Sequence, residues 1–314
     1  MIDFDGQVAI VTGAGRGMGR CITLLLAQRG ARVVVNDYGG DEFGNAGTSR
    51  EAEAVVDEIR AAGGKAVANA ATVGDGESAD AIVRAALDAF GRIDVLINNA
   101  GGSTIAPIDE LSDAALERVV RTNYWGAYML IRRVWPHMRT QHYGRIVNVC
   151  SSAVLGIGTI APYSSAKGAM VGLTHEAAIE GRPYDILVNG TFPAGYSRLA
   201  AKSAEDARRW METWFQPELV AQAYAYFASR AMQHSGDIYS VGAGRVSRIA
   251  VVNNDGYFNR DLTPELVAQH IDQIRDLTSA VHVGSSWEEN QRYQRWIPWT
   301  GGQGGTFGAS GDEA

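Results

Sequence analysis

Short runs of β-branched and apolar residues alternate along the chain with longer stretches whose apolar positions return every three to four residues. The runs are VAIVTG from Val8, ARVVVND from Ala31, KAVANA from Lys65, IDVLINNAG from Ile93, GRIVNVCS from Gly144 and ILVNGTF from Ile186. Helical spacing fills the intervals at residues 18–30, 49–62, 79–90, 111–138 and 163–180. Strands written as near-continuous apolar runs are buried on both faces, and one helix between successive strands makes them parallel. The pattern predicts an α/β fold, a Rossmann-type doubly wound parallel sheet with helices on both faces.

Beyond Thr191 the pattern changes. Residues 197–230 read as helical and crowd together Trp210, Trp214, Phe215, Tyr224, Tyr226 and Phe227, which suits a substrate lid as well as it suits packing or a subunit interface. Further on, RIAVVNNDGYFNR carries the Asp255-Gly256 signature of a hairpin, and TPELVAQHIDQIRDL opens a helix with Thr263 as cap and Pro264 at its first position. The expected division is a dinucleotide-binding catalytic domain over 1–245, a C-terminal appendage of hairpin and helix over 246–300, and a flexible glycine-rich tail over 301–314.

Charge narrows the function. With 35 acidic against 28 basic residues and a net charge of -7, the chain lacks the basic surface of a nucleic-acid binder. No segment is apolar enough to span a membrane, and the N-terminus runs into a strand without a signal peptide pattern, so a cytoplasmic location is expected. The two cysteines, Cys21 and Cys150, are expected as free thiols, and the six histidines show no metal-site spacing, so no metal is assigned.

Two patterns carry chemistry. TGAGRGMG, residues 12–19, lies between the first strand and the first helix, where glycines let the backbone approach a pyrophosphate seated on the helix N-terminus. Asp37, at the end of the second strand, suits the adenosine ribose hydroxyls and repels a 2′-phosphate, which favours NAD; Arg16 within the loop leaves NADP possible. The second pattern is Tyr163 with Lys167, one of three lysines in the chain. Four residues apart on a helix, the two share a face, so the ammonium is expected to lower the phenol's pKa and equip it to exchange a proton with a carbinol.

The glycine spacing is T-G-x-x-x-G-x-G. Taken with NNAG at 98–101, Asn123 in RTNYWGAY, YSSAK at 163–167 and VNGTFPAG at 188–195, it resembles the short-chain dehydrogenase/reductase superfamily over roughly residues 5–245. A closer likeness, in VVVNDYGGDEFG, IEGRPYDILVNGTFPAGYSR and SVGAGRVSRIA, is to the (3R)-hydroxyacyl-CoA dehydrogenase part of peroxisomal multifunctional enzyme type 2 and its bacterial relatives. The resemblance implies Tyr163 as acid/base, Lys167 on the nicotinamide ribose, a serine polarising the substrate oxygen, and Asn123 holding a water in a proton relay. It implies cofactor contacts from Gly13, Arg16, Gly17, Met18, Gly19, Asp37, Thr72, Val73, Asn99, Ala100, Gly101, Tyr163, Lys167 and Pro193.

The family serine usually stands thirteen residues before the tyrosine, which here is Cys150, a weak donor. Counting instead from Gly144 along the strand selects Ser151, with Ser152 as rival. The strand's register is fixed by burial whereas the loop after it can lose a residue, so Ser151 is assigned. Where the family places an Asp against the adenine, this chain has Ala71. The resemblance implies a secondary alcohol or ketone on a mostly apolar substrate, 3-hydroxyacyl-CoA-like or a bulky steroid or terpenoid alcohol, and a homodimer or homotetramer. The alternative is a non-catalytic dinucleotide-sensing protein of the same fold.

Overall fold

The computed structural model describes residues 2–40, 47–196 and 205–297. The chain divides into two compact units, Met1–Ile249 and Ala250–Ala314. The sequence-expected tail at 301–314 and the first part of the aromatic segment, 197–204, lie outside the described residues.

The first unit is built on an eight-stranded sheet. Its strands are β1 (Val8–Thr12), β2 (Arg32–Asn36), β3 (Lys65–Asn69), β4 (Val95–Asn98), β5 (Gly144–Val149), β6 (Ile186–Ala194), β7 (Ile238–Gly242) and β8 (Arg245–Ile249). Their order across the sheet is β3-β2-β1-β4-β5-β6-β7-β8, all parallel except the last pair. The chain turns left from β1 to β3 and then crosses to β4, so a crevice opens between the carboxyl ends of β1 and β4, where ligands bind in such sheets. Helices α1 (Gly17–Gln28), α2 (Arg50–Ala61), α3 (Gly76–Phe90), α4 (Asp113–Val120), α5 (Gly126–Gln141) and α6 (Ala161–Gly181) connect the strands. β1, β4 and β5 are buried along their whole length, as their apolar runs require.

The aromatic segment splits in two. Helix α7 (Glu205–Trp214) has no buried residue, and Trp210 and Trp214 are more than half exposed, with Trp210 against Phe215 at 4.6 Å. Helix α8 (Pro217–Phe227) turns Val220, Ala221, Tyr224 and Phe227 into the core that also holds Ile22 and Leu26 of α1, and Phe227 stacks on Tyr239 at 4.6 Å. Half of the supposed lid is therefore core.

The hairpin also stands elsewhere than the Asp-Gly signature suggests. β7 and β8 are joined at Ala243 and Gly244, with φ of 50° and 77°, both in the left-handed region that a two-residue hairpin turn needs. Asp255 instead ion-pairs with Arg292 at 2.8 Å. The second unit contains β9 (Val252–Asn253) antiparallel to β10 (Val281–His282), and the short helices α9 (Pro264–Gln269), α10 (Ile271–Arg275) and α11 (Ser286–Arg292). Thr263 caps α9, its hydroxyl accepting from the Leu266 N–H at 3.3 Å.

At the opposite end of the sheet from the crevice, Arg145 is buried at the start of β5. Its guanidinium donates to the carbonyls of Gly144 and Asp185, each at 2.8 Å, and of Ser229 at 3.3 Å, and lies 4.4 Å from the Tyr143 ring centroid. Arg145→Ala strips the donor from three carbonyls and should cost about 3 kcal/mol, read as a fall in the urea midpoint at constant slope. A change below about 0.5 kcal/mol would show that water replaces the guanidinium at no cost.

Candidate active site

The glycine-rich loop is shaped by contacts that leave no room for side chains. Gly13 and Gly17 hold φ of 61° and 51°. A Cβ on Gly19 would lie 2.0 Å from the Gly13 carbonyl oxygen, so this helix start presses directly on the loop. Thr12 ties the loop to the end of β4: its hydroxyl accepts from the Asn99 and Ala100 N–H groups, both at 3.0 Å, while the Asn99 amide donates to the carbonyls of Thr12 and Gly13. Helix α1 begins after Arg16 with no side-chain cap and no acidic residue in its first turn. Its free N–H groups and positive dipole end are thus open to an anion, which fits the pyrophosphate of a dinucleotide.

A cavity of about 520 Å³ runs along this edge of the sheet. Gly13, Arg16, Asp37, Thr72, Val73, Asn99, Ala100 and Gly101 line it, whereas Gly17, Met18, Gly19, Pro193, Tyr163 and Lys167 stand outside its wall. The Asp37 carboxylate accepts from the N–H groups of Gly15 and Gly39, each at 2.7 Å. Arg16 is ion-paired with Glu51. Ala71 carries no polar side chain toward the cavity, and the Thr72 hydroxyl pairs with Ser78 at 3.1 Å within the start of α3. Met18 packs on the core beside Gly195, and Pro193 sits on β6 opposite Val241.

The residues expected to transfer the proton meet beside this groove. Tyr163 and Lys167 share a face of α6, and the Lys167 ammonium lies 5.5 Å from the Tyr163 ring centroid. Lys167 is 2% exposed and donates to the Val149 carbonyl at 2.6 Å. Burial pushes its pKa down to about 8. Burial pushes the Tyr163 phenol upward, against a hydrogen bond from Ser151 that favours the phenolate. The expected lowering of the phenol by the ammonium is therefore not what the protein alone shows: desolvation sets the direction, and the opposing contribution comes from Ser151.

Ser151 is the serine that reaches Tyr163; its oxygen also accepts from the Ala153 N–H at 3.1 Å, which starts a short 3₁₀ turn at Ser152–Leu155. Ser152 is exposed. Cys150 is fully buried against Met170, Phe192 and Ile238, and burial pushes its thiol up to about 11. Asn123 lies in a π-turn, Arg121–Trp125, inserted between α4 and α5. Its amide donates to the carbonyls of Gly102 at 2.7 Å and Val119 at 2.9 Å, and its buried Oδ1 has no partner among the described residues. A Cβ on Gly101 would lie 2.6 Å from that oxygen and 3.6 Å from the Lys167 ammonium, so Gly101 keeps the space between them clear. A small hydrogen-bonding molecule there would satisfy both groups.

Three further contributors went unread in the sequence. Thr12 opens the glycine motif and staples it to β4. Asn148 accepts from Asn98 at 2.9 Å and donates to Thr174 at 3.0 Å, a buried chain bracing β4, β5 and α6 beneath the site. Glu51, which holds Arg16, looks in sequence like any first-turn carboxylate and gives no signal. Among the described residues, no group of three or more His, Cys, Asp or Glu is arranged to hold a metal ion.

The short chain dehydrogenase family matches residues 7–209. Peroxisomal multifunctional enzyme A of Dictyostelium discoideum is 38% identical over 288 residues, covering 91% of this chain and 64% of that protein. The full-length peroxisomal multifunctional enzyme type 2 of Drosophila melanogaster has a solved structure similar at TM-score 0.78 and 29% identity, over 94% of this chain and 50% of that one. The chain thus spans only part of the length of these relatives. A 7α-hydroxysteroid dehydrogenase complexed with NADH and 7-oxo glycochenodeoxycholic acid is similar at TM-score 0.69 and 30% identity, over 77% of this chain and 95% of that one. With that match laid over a doubly wound sheet that carries a tyrosine, a buried lysine and a serine beside its crevice, the chain belongs to the short-chain dehydrogenases, oxidoreductases acting on CH–OH groups.

Proposed function

We propose that the enzyme interconverts a secondary alcohol and a ketone with NAD, on a mostly apolar substrate such as a 3-hydroxyacyl-CoA or a bulky steroid-like alcohol. The observation that carries the proposal is the hydrogen-bonded pair Ser151 and Tyr163 over the buried Lys167, in a sheet whose α1 N-terminus is left open to an anion. Bound NAD supplies the hydride acceptor. Tyr163 takes the carbinol proton in oxidation and returns it in reduction, and Ser151 donates to the substrate oxygen where negative charge develops. Lys167 passes that proton onward through the space beside Gly101, where the Asn123 Oδ1 would hold a relaying water.

The apolar preference is supported by two loops at the mouth of the site. Ile105 and Ile108 after β4, and Leu155 and Ile157 after β5, are all more than half exposed, and the loops are joined where the Ala106 N–H donates to the Thr159 carbonyl at 2.9 Å. Such a rim offers an acyl chain or a ring system a surface that water leaves readily. The hydroxysteroid dehydrogenase among the similar structures supports the second of these substrate classes. Trp125, stacked on Tyr128 and 41% exposed, supports self-association as a dimer or tetramer through α5. A dinucleotide sensor has no use for a serine, tyrosine and lysine brought into register, and the well-separated free thiols suit a reducing compartment such as the cytoplasm.

A panel of 3-hydroxyacyl-CoA esters and hydroxysteroids, followed by NADH absorbance, tests the proposal; turnover of neither class would overturn its substrate reading. Ser151→Ala should lower kcat by roughly 10²–10³, the usual cost of one oxyanion donor, while Ser152→Ala leaves it within about twofold. The reverse ranking assigns the role to Ser152.

Asp37→Ala should raise NADP use relative to NAD, because it removes the carboxylate that opposes a 2′-phosphate. Wild-type enzyme that already prefers NADP overturns the NAD assignment.

Lys167 gives a stability signature as well. Its pKa is about 8 in the fold against 10.5 ordinarily, so between those values the unfolded chain binds the extra proton and this group makes stability rise with pH. Tyr163, raised from 10.0, acts with the opposite sign and at higher pH, where the unfolded chain loses its phenolic proton first. Urea midpoints of wild type against Lys167→Met across pH 8 to 10 should show the rise in the wild type and a flatter line in the variant. Parallel lines would mean the lysine keeps its proton in the fold.

A further inference from the structure

At the ribose end of the groove two carboxylates face one step of backbone. A Cβ on Gly15 would lie 2.9 Å from Asp37 Oδ2 and 2.8 Å from Glu51 Cβ. Asp37 is occupied by the N–H groups of Gly15 and Gly39. Glu51, in the first turn of α2, holds the Arg16 guanidinium through Oε1 and receives the Thr48 hydroxyl on Oε2 at 3.2 Å. The other arm of Arg16 reaches the Gly40 carbonyl at 3.4 Å. Arg16 lines the cavity beside Asp37, yet its charge is already spent on Glu51.

We propose that Glu51 is a cofactor-specificity residue that works through Arg16, holding the guanidinium so that the 2′-phosphate of NADP finds no free cation at the ribose edge. The inference rests on the NAD reading above and assigns part of that preference to a residue that need not touch the cofactor. A guanidinium binds phosphate in the same forked geometry that it uses for a carboxylate, so the two anions compete for one donor face. With Glu51 in place, a 2′-phosphate faces the Asp37 charge and must also displace a carboxylate that α2 holds in position. Without Glu51, Arg16 is free to turn to the phosphate while Asp37 still serves the ribose hydroxyls of NAD. Asp37 thus repels the wrong cofactor, and Glu51 withholds the group that would overcome the repulsion. The pair is partly exposed, with side-chain accessibilities of 41% for Arg16 and 19% for Glu51, so its influence falls as salt screens it.

The test is direct binding of NAD and NADP by isothermal titration calorimetry to wild type, Glu51→Gln, Arg16→Ala and the double variant, with melting temperature as the check on folding. Glu51→Gln should raise NADP affinity relative to NAD by roughly tenfold at low salt, and the same substitution on the Arg16→Ala background should change the ratio by less than about twofold. In steady-state kinetics the gain should fall on KM for NADP rather than on kcat. An unchanged ratio in Glu51→Gln overturns the proposal, and so does an equal gain with and without Arg16, since Glu51 would then repel the phosphate by itself. Wild-type preference for NADP is a different result: it defeats the NAD reading, whatever Glu51→Gln does.

Discussion

A charge taken out of water sets the terms for the rest of the site. The Lys167 ammonium is almost fully buried and, among the described residues, has one protein acceptor, the Val149 carbonyl at 2.6 Å. Burying an ammonium is costly unless its hydrogens are met, and the fall of its pKa to about 8 expresses that cost. The surrounding elements are arranged around the remaining hydrogens. β5 ends so that its last carbonyl faces the lysine, and the π-turn delivers the orphaned Asn123 Oδ1 to the same space. Gly101 has no side chain to fill the gap. β5, the π-turn and the loop at Gly101 thereby converge on one ammonium.

That convergence explains why the thiol and the serine divide as they do. Cys150 is buried beside Thr174 and under Gly190, whose Cβ would lie 3.1 Å from its sulfur, so the residue after β5 completes the core rather than the site. The next residue turns to the other side, as alternation along an extended chain demands, and Ser151 faces Tyr163. The distance in sequence between serine and tyrosine is then taken up by the loop, where Gly156, Gly158 and Thr159 all hold φ between 58° and 83° and turn the chain tightly back to α6.

The sequence made the sheet legible because burial on both faces writes strands as unbroken apolar runs, and the crevice followed from their order. The glycine loop, Asp37 and the Tyr163–Lys167 pair were legible for a related reason: each depends on local spacing along one turn or one helix. What depends on packing at long range was not. The hairpin formed at Ala243-Gly244, which lacks a strong turn signature, because β8 pairs with the sheet edge there; Asp255-Gly256 has the signature, but Asp255 is drawn to Arg292. The aromatic residues of α7 and α8 look alike in sequence, and only contact with α1 separates core Tyr224 from exposed Trp214. The direction of the Tyr163 shift is not legible in the sequence, because spacing reveals the neighbouring charge but not the depth of burial that raises the phenol.

The two ends of the groove therefore differ in how freely they can change. At the catalytic end Asn123 and Lys167 are no more than 2% exposed, and each is bonded to backbone that also belongs to the core. A substitution there leaves a buried carbonyl or amide without its partner, so it costs stability as well as rate. At the ribose end the bonds of Arg16 and Glu51 are made at the surface, where water replaces a lost partner and exposed ion pairs contribute little to folding. On the proposed function the chemistry is thus bound to the fold, whereas the proposed choice between cofactors falls to groups the fold scarcely needs.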